Sequence, residues 1–183
     1  AGTAWRAPLF DDSTWKSGGA ELGYGNGDEV TVVEDNATPG WVANETRYAT
    51  TYFRRAFTVP NTFDITAASL SLIFDDAAVI FLNGTELVRT TNLPNAATMP
   101  NLAFDYFVGA STAPNNNTET FTIPVNALTD GANHFAAEVH QTSTTSSDIS
   151  FNLRLRLTRS TPASLLSNDT DADPGTTLTI STN

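Results

Sequence analysis

The 183-residue chain has no cysteine, one lysine (Lys16), one methionine (Met99) and only nine basic side chains in all. The first absence removes disulfides, thiolate metal sites and cysteine nucleophiles together. The scarcity of basic residues bears on partners. Twenty acidic residues against nine basic give a formal charge of −11, which repels phosphate backbones and argues against nucleic-acid binding. Anionic membrane surfaces are poor partners for the same reason. Long apolar runs are missing too: Ala77 to Leu82 is typical of the longest, far short of the ~20 residues a bilayer-spanning helix needs, so no membrane insertion is expected. The sequence shows no signal-peptide pattern and begins at Ala1 without a methionine, as a processed or excised piece would. Threonine and asparagine are plentiful, and an acidic, lysine-poor surface suits an extracellular or cell-surface protein.

Helical periodicity is scarce, whereas period-two alternation recurs, the signature of half-buried strands. Leu70, Leu72 and Phe74 share one face, continued by Ile80 and Leu82 up to Asn83-Gly84, the strongest short hairpin signal. Phe135, Ala137 and Val139 alternate with His134, Glu138 and His140, and Phe151, Leu153, Leu155 and Leu157 alternate with Asn152, Arg154 and Arg156. Each run predicts one apolar face and one wet or functional face. Tyr52 to Val59 and Glu119 to Val125 add two more strands, so an all-β, antiparallel jelly-roll sandwich is expected. Long polar loops at Asp28 to Arg47, Thr90 to Leu102 and Ser111 to Thr118 separate the strands, and such loops commonly carry function. After Leu157 the chain turns rich in Ser, Thr, Asp and Pro. This places the sandwich at residues 1–160 and a linker with one strand-like segment at residues 161–183.

Four blocks, "FDDSTWKSGGAELGYG", "TTYFRRAFTV", "LIFDDAAVIFLNGTELVR" and "AAEVHQTSTTSSDISFNLRLRL", occur in this order, and in that they resemble the galactose-binding-like jelly rolls of secreted bacterial proteins, more distantly the sugar-binding domain of β-galactosidases. The resemblance runs from Trp5 to Leu157. It implies a turn Asp-Asp-Gly-Ala where this chain has Asp75-Asp76-Ala77-Ala78, without the residue that most easily takes positive φ. It also implies one further strand ahead of Trp5. The tail "SLLSNDTDADPGTTLTI" resembles the opening of a cadherin-like or immunoglobulin-like adhesin repeat.

Several constellations invite chemistry. Asp11 and Asp12 have the residue types of a glycosidase pair, but neighbours on an extended segment point apart and the surrounding glycines describe a turn. Glu138 and His140, two apart on a strand, could join Asp148, Asp75 and Asp76 in a metal site; the alternative is a buried polar network tying "EVHQ" to "SSDIS". Ser146, His140 and Asp148 have triad residue types without a Gly-x-Ser-x-Gly elbow, so no catalytic residue is expected. Sugar binding needs an aromatic platform beside hydrogen-bonding groups, for which Trp41, Tyr24 and Tyr106 are the candidates, with Asp75 and Asp76 as polar partners. Asp169, Asp171 and Asp173 alternate as in the first half of a calcium loop, but the twelfth position, a glutamate in an EF-hand, is Ile180 here. A looser interdomain calcium site and a solvated acidic linker both remain.

The expectation is a non-catalytic extracellular module for recognition, adhesion or surface assembly, with a glycan or other surface ligand as partner. The alternative is a carbohydrate-binding module of a larger secreted hydrolase. A missing outer strand would leave an open edge, and the tail, with Leu178 and Ile180 two apart, is a candidate strand donor. Donation to a neighbour would be head-to-tail and would propagate a homo-oligomer or fibre.

Overall fold

The structure, a computed structural model, describes residues 2–33, 48–109 and 118–160. Within them the chain forms strands β1 (Leu22–Tyr24), β2 (Thr31–Val32), β3 (Thr50–Val59), β4 (Ile65–Phe74), β5 (Ala77–Leu82), β6 (Thr85–Arg89), β7 (Glu119–Ile123), β8 (Gly131–His140) and β9 (Ile149–Arg159). The only helical pieces among these residues are single 3-10 turns at Ala4–Arg6 and Val125–Ala127. Two sheets, β2-β1-β9-β4-β7 and β3-β8-β5-β6, pack as a sandwich. The expected fold class is therefore observed. One ladder departs from the antiparallel rule, since β1 and β2 run parallel through Leu22↔Thr31 and Gly23↔Val32.

The period-two apolar residues meet between the sheets. Leu70, Leu72 and Phe74 of β4 face Ile80, Leu82, Phe135 and Val139 of the other sheet, each such side chain contributing roughly 1.5–3 kcal/mol by leaving water. Phe53 stacks on Phe151 with ring centroids 4.5 Å apart, and Phe57 on Phe135 at 4.8 Å. The β5–β6 hairpin turns at Asn83 and Gly84 with φ of 52° and 86°, the positive pair that a tight hairpin demands and that Asn-Gly supplies.

The four-stranded sheet is buried on both faces along β5 and the adjoining residues of β8. Its outer face carries Ala77, Val79, Phe81 and Ala136 beneath Trp5, Leu93, Leu102 and Val108, with Phe10, Trp15, Tyr52 and Tyr106 packed alongside. This explains why β5 reads as an unbroken apolar run: a strand covered on both sides has no wet face to alternate. The cover is fixed by Arg54 of β3. Its Nε donates to Asp12 Oδ2 (2.8 Å), its Nη1 donates to the carbonyls of Trp5 and Ala7, and its guanidinium lies 5.3 Å from the Phe10 ring centre.

Candidate ligand-facing end of the sandwich

β4 ends in one sheet and β5 begins in the other, so Asp75 and Asp76 carry the chain across one end of the sandwich. The Asp75 N–H donates to the Ser150 carbonyl (3.1 Å) and the Asp76 N–H to the His140 carbonyl (3.3 Å), which ties the turn to both sheets. Ala77 lies inside β5 and has no positive φ, so the turn works without the glycine that the resemblance implied. Asp76 is buried; its Oδ2 accepts the Thr142 N–H at 2.7 Å and its carbonyl accepts Asn92 Nδ2 at 3.2 Å. Asp75 is half-buried and hydrogen-bonded through its side chain to both Asp76 and Asp148. Burial, then the charges of Asp76 and Asp148, push its carboxyl up to about 8. At neutral pH Asp75 is therefore mostly a proton donor set between two acceptors.

The opening stretch reaches this end through Gly25. With φ of 101° there, a Cβ would stand 2.4 Å from the Ser147 carbonyl oxygen and 2.8 Å from Asp148 Cα, so only glycine lets the chain pass the carboxylates. Further back in the stretch, Asp11 Oδ1 accepts the Ser13 N–H at 3.0 Å in an Asx turn, and the Ser13 hydroxyl, then this N–H, lower its pKa. Asp12 is held by Arg54. The two aspartates thus close a turn and anchor a segment.

Tyr24 lies at the end of β1 opposite Ile149, half-buried against the main core. Tyr106 sets its ring edge-on to His140, centroids 5.9 Å apart, and packs on the second core. Each has part of its surface in use for packing and part uncovered. Trp41, Asp169, Asp171, Asp173, Leu178 and Ile180 lie outside the described residues, as do residues 34–47 and 110–117. The described residues flanking those two segments are nevertheless informative. Val33 donates to the Gly23 carbonyl, Gln141 to that of Ala49, and Val108 to that of Gln141, while Glu119 pairs with Leu72. These flanking residues lie toward the carboxylate end.

The sequence-proposed set of Glu138, His140 and Asp148 is divided by the structure. Asp148 belongs to the Asp75 turn, with Ser147 Oγ donating to its Oδ1 at 2.8 Å. Glu138 (1 % exposed) and His140 (0 %) are buried instead beneath Arg6 and Tyr106, on the face expected to be wet or functional, as the buried-network reading had them. There Arg6 Nη2 approaches Glu138 Oε1 at 3.4 Å, Arg6 Nη1 donates to Asn101 Oδ1 at 2.8 Å, and the guanidinium lies 4.1 Å from the Phe81 ring centre. His140 Nδ1 is 3.0 Å from both the Tyr106 carbonyl and Thr50 Oγ1. A carbonyl only accepts, so Nδ1 carries a hydrogen, and Nε2 stands 3.9 Å from Glu138 Oε1. Neither ring nitrogen bonds Ser146. Burial and the Glu138 charge together raise the pKa of Tyr52. Among the described residues no three His, Cys, Asp or Glu side chains are arranged to hold a metal ion.

Arg6 was absent from the sequence reading, and the signal for it is weak: a single arginine between Trp5 and Ala7. The network that does tie the two segments together is Gln141 Nε2 to the Asp148 carbonyl (3.0 Å) and Thr142 N–H to Asp76.

No family model matches the chain, and no curated protein matches it. Among solved structures it is similar to an α-L-rhamnosidase from Aspergillus terreus (14% identity, TM-score 0.44, 68% of this chain and 14% of that one). It is also similar to an α-L-rhamnosidase from Dictyoglumus thermophilum (11%, 0.40, 62% and 11%) and a β-glycosidase from Bacteroides vulgatus (13%, 0.41, 84% and 18%). The chain spans less than a fifth of the length of each. At these scores the likeness is one of partial shape and assigns no family.

Proposed function

We propose that the chain is a non-catalytic, extracellular recognition module that presents the Asp75 end of its sandwich to a hydroxyl-rich ligand such as a glycan. The observation that carries this reading is the arrangement of Asp75, Asp76 and Asp148: one half-buried carboxyl held as a donor beside carboxylate acceptors, at the end of the sandwich where the chain crosses between the sheets. Sugar hydroxyls donate and accept at once, and adjacent donor and acceptor groups suit them. The partly uncovered rings of Tyr24 and Tyr106 near the same end supply apolar surface. The non-catalytic reading is supported by Glu138 and His140, a carboxylate and imidazole side by side but closed off from any substrate by Arg6 and Tyr106.

The test is affinity electrophoresis against a panel of soluble plant and bacterial polysaccharides, with reducing-sugar release measured on the same samples. Retardation by at least one polysaccharide is expected, weakened about tenfold or more in Asp75→Ala with melting temperature retained, and without sugar release. Binding that ignores Asp75→Ala, no retardation by any polysaccharide, or turnover of one, would overturn the reading.

A further inference from the structure

A recess lies at the far end of β5 from Asp76, roughly 20 Å along the strand. The N-terminal turn holding Thr3 and Arg6, the tip of the β5–β6 hairpin at Gly84 and Thr85, and Asn101 line an open cavity of about 470 Å³, within the ~300–1,000 Å³ usual for small-molecule sites. Its walls are fixed. Asn83 anchors the hairpin tip, its Nδ2 donating to Asn133 Oδ1 (2.9 Å) and its Oδ1 accepting the His134 N–H (3.0 Å). On the other side the Arg6 N–H donates to the Thr3 carbonyl at 3.1 Å and closes the turn. The guanidinium lies 4.1 Å from the Phe81 ring centre and 5.2 Å from that of Trp5, contacts that hold it in place before any ligand arrives.

The charge in this recess is unlike that of the rest of the chain. Twenty acidic residues stand against nine basic ones, yet among the described residues no acidic side chain lines the cavity and one arginine does. Arg6 is only 8 % exposed, and its donors are incompletely used. Of the five N–H groups a guanidinium carries, one donates to Asn101 Oδ1 at 2.8 Å and one approaches Glu138 Oε1 at 3.4 Å, longer than the ~2.7–2.9 Å of a strong charge-assisted bond. Arg6 Nε has no hydrogen-bond partner among the described residues. A guanidinium taken out of water and short of partners gains by receiving an anion. Asn101 turns its oxygen to Arg6, which leaves its amide hydrogens for a ligand, and the hydroxyls of Thr3 and Thr85 can donate and accept.

We propose that this cavity is a second binding site, for a carboxylate flanked by hydroxyls, as in a sugar acid. The carboxylate sits at Arg6 and Asn101, and the hydroxyls beside it meet Thr3 and Thr85. A neutral sugar fills the same space without engaging the arginine. Glu138 offsets part of the Arg6 charge, so the affinity is modest, in the millimolar range. The site shares none of Asp75, Asp76 and Asp148, whose carboxyl groups disfavour an anion. The two ends of β5 therefore take ligands of different charge.

The test is a nuclear magnetic resonance titration of the isotope-enriched full chain with D-galacturonate, and in parallel with D-galactose. Saturable shifts of the Arg6 Nε–Hε signal and of the Gly84 and Thr85 amides are expected with galacturonate, and binding about fivefold or more weaker with galactose. Arg6 also supports Trp5 and Glu138, so the variant is placed at Asn101. Asn101→Asp sets a carboxylate beside Arg6 and should weaken galacturonate binding about tenfold or more with melting temperature retained. No saturable shift, equal affinity for galactose, or shifts confined to the surroundings of Asp75 and Asp148 would overturn the proposal. Galacturonate binding that Asn101→Asp leaves unchanged would overturn it equally.

Discussion

Replacing Asp75 by asparagine keeps the size of the side chain and a hydrogen-bond donor while removing the ionisation. In the folded protein Asp75 holds its proton until about 8, whereas the ordinary carboxyl releases it at 3.8. Between those values the unfolded chain has lost the proton that the folded chain still binds. Rising pH therefore favours unfolding across this window, and the loss ends once pH exceeds the folded value. The full effect would be about 1.4 kcal/mol per pH unit. Solvent reaches the half-buried Asp75, and Asp148 shares its proton, so the expected loss from about pH 5.5 to about pH 8 is ~2 kcal/mol. For a chain of this length that is a fall in melting temperature of roughly 4–8 °C. Thermal unfolding followed by circular dichroism across this range, for the wild type and Asp75→Asn, measures it. The asparagine variant should be flatter and more stable at the alkaline end, and parallel curves for the two proteins would refute the reasoning.

Arg54→Met should cost about 2–3 kcal/mol in urea denaturation, since it frees the Trp5 and Ala7 carbonyls and loosens the cover of the second core; Asp12→Asn, at the exposed side of the same pair, should cost under about 1 kcal/mol. Gly25→Ala should destabilise by more than about 2 kcal/mol, because positive φ and the Ser147 carbonyl both oppose a Cβ. Gly27→Ala, at φ of 82° with nothing within 4 Å, should cost about 1 kcal/mol, so equal losses at the two glycines would count against the steric account. Glu138→Ala leaves the Arg6 guanidinium buried without its carboxylate and should cost about 3–5 kcal/mol in the same assay, with Glu138→Gln losing less.

The strands with one covered face were legible from alternation alone, and β4 and the inner residues of β8 and β9 lie where the pattern put them. The second face of β8 was legible only in part: a buried polar network was among the readings of Glu138 and His140, but its partners were not. Glu138 and His140 alternate with apolar neighbours as exposed residues would, yet they are covered by Trp5, Arg6 and the chain around Tyr106. Alternation describes polarity within a strand and is blind to a distant segment that brings its own arginine to satisfy the polar side. β5 misled in the same way: Ile80 and Leu82 were read as one face of an alternating run with a wet or functional face opposite, whereas the strand is buried throughout because Ala77, Val79 and Phe81 are covered as well. Thr31–Val32 was read as loop because two residues are too few for a period, and its parallel pairing with β1 is set by the Glu21 and Gly23 carbonyls that receive its amides. At the candidate site, Asp75 and Asp76 were visible as residue types. That Asp148 completes their group, while His140 does not, depends on which side of the β8–β9 connection each residue faces, and spacing along the chain does not encode that.

β9 joins the carboxylate end to the opposite end of the sandwich, and its geometry says whether the two act together. Its first three residues pair with β1, and the Ser150 carbonyl receives the Asp75 amide, so this portion belongs to the carboxylate end. At its other end Arg159 pairs with Asp64, about 33 Å along the strand from Ile149. Sites this far apart with no shared partner contribute additively to stability, within about 0.5 kcal/mol. The loss caused by Asp64→Asn should therefore be the same in the wild-type and Asp75→Asn backgrounds, and the pH dependence owed to Asp75 should survive the loss of the Arg159 pair. A double-mutant cycle by urea denaturation at about pH 6 and about pH 8 tests this. A coupling well above that size would mean that β9 transmits between the two ends of the sandwich.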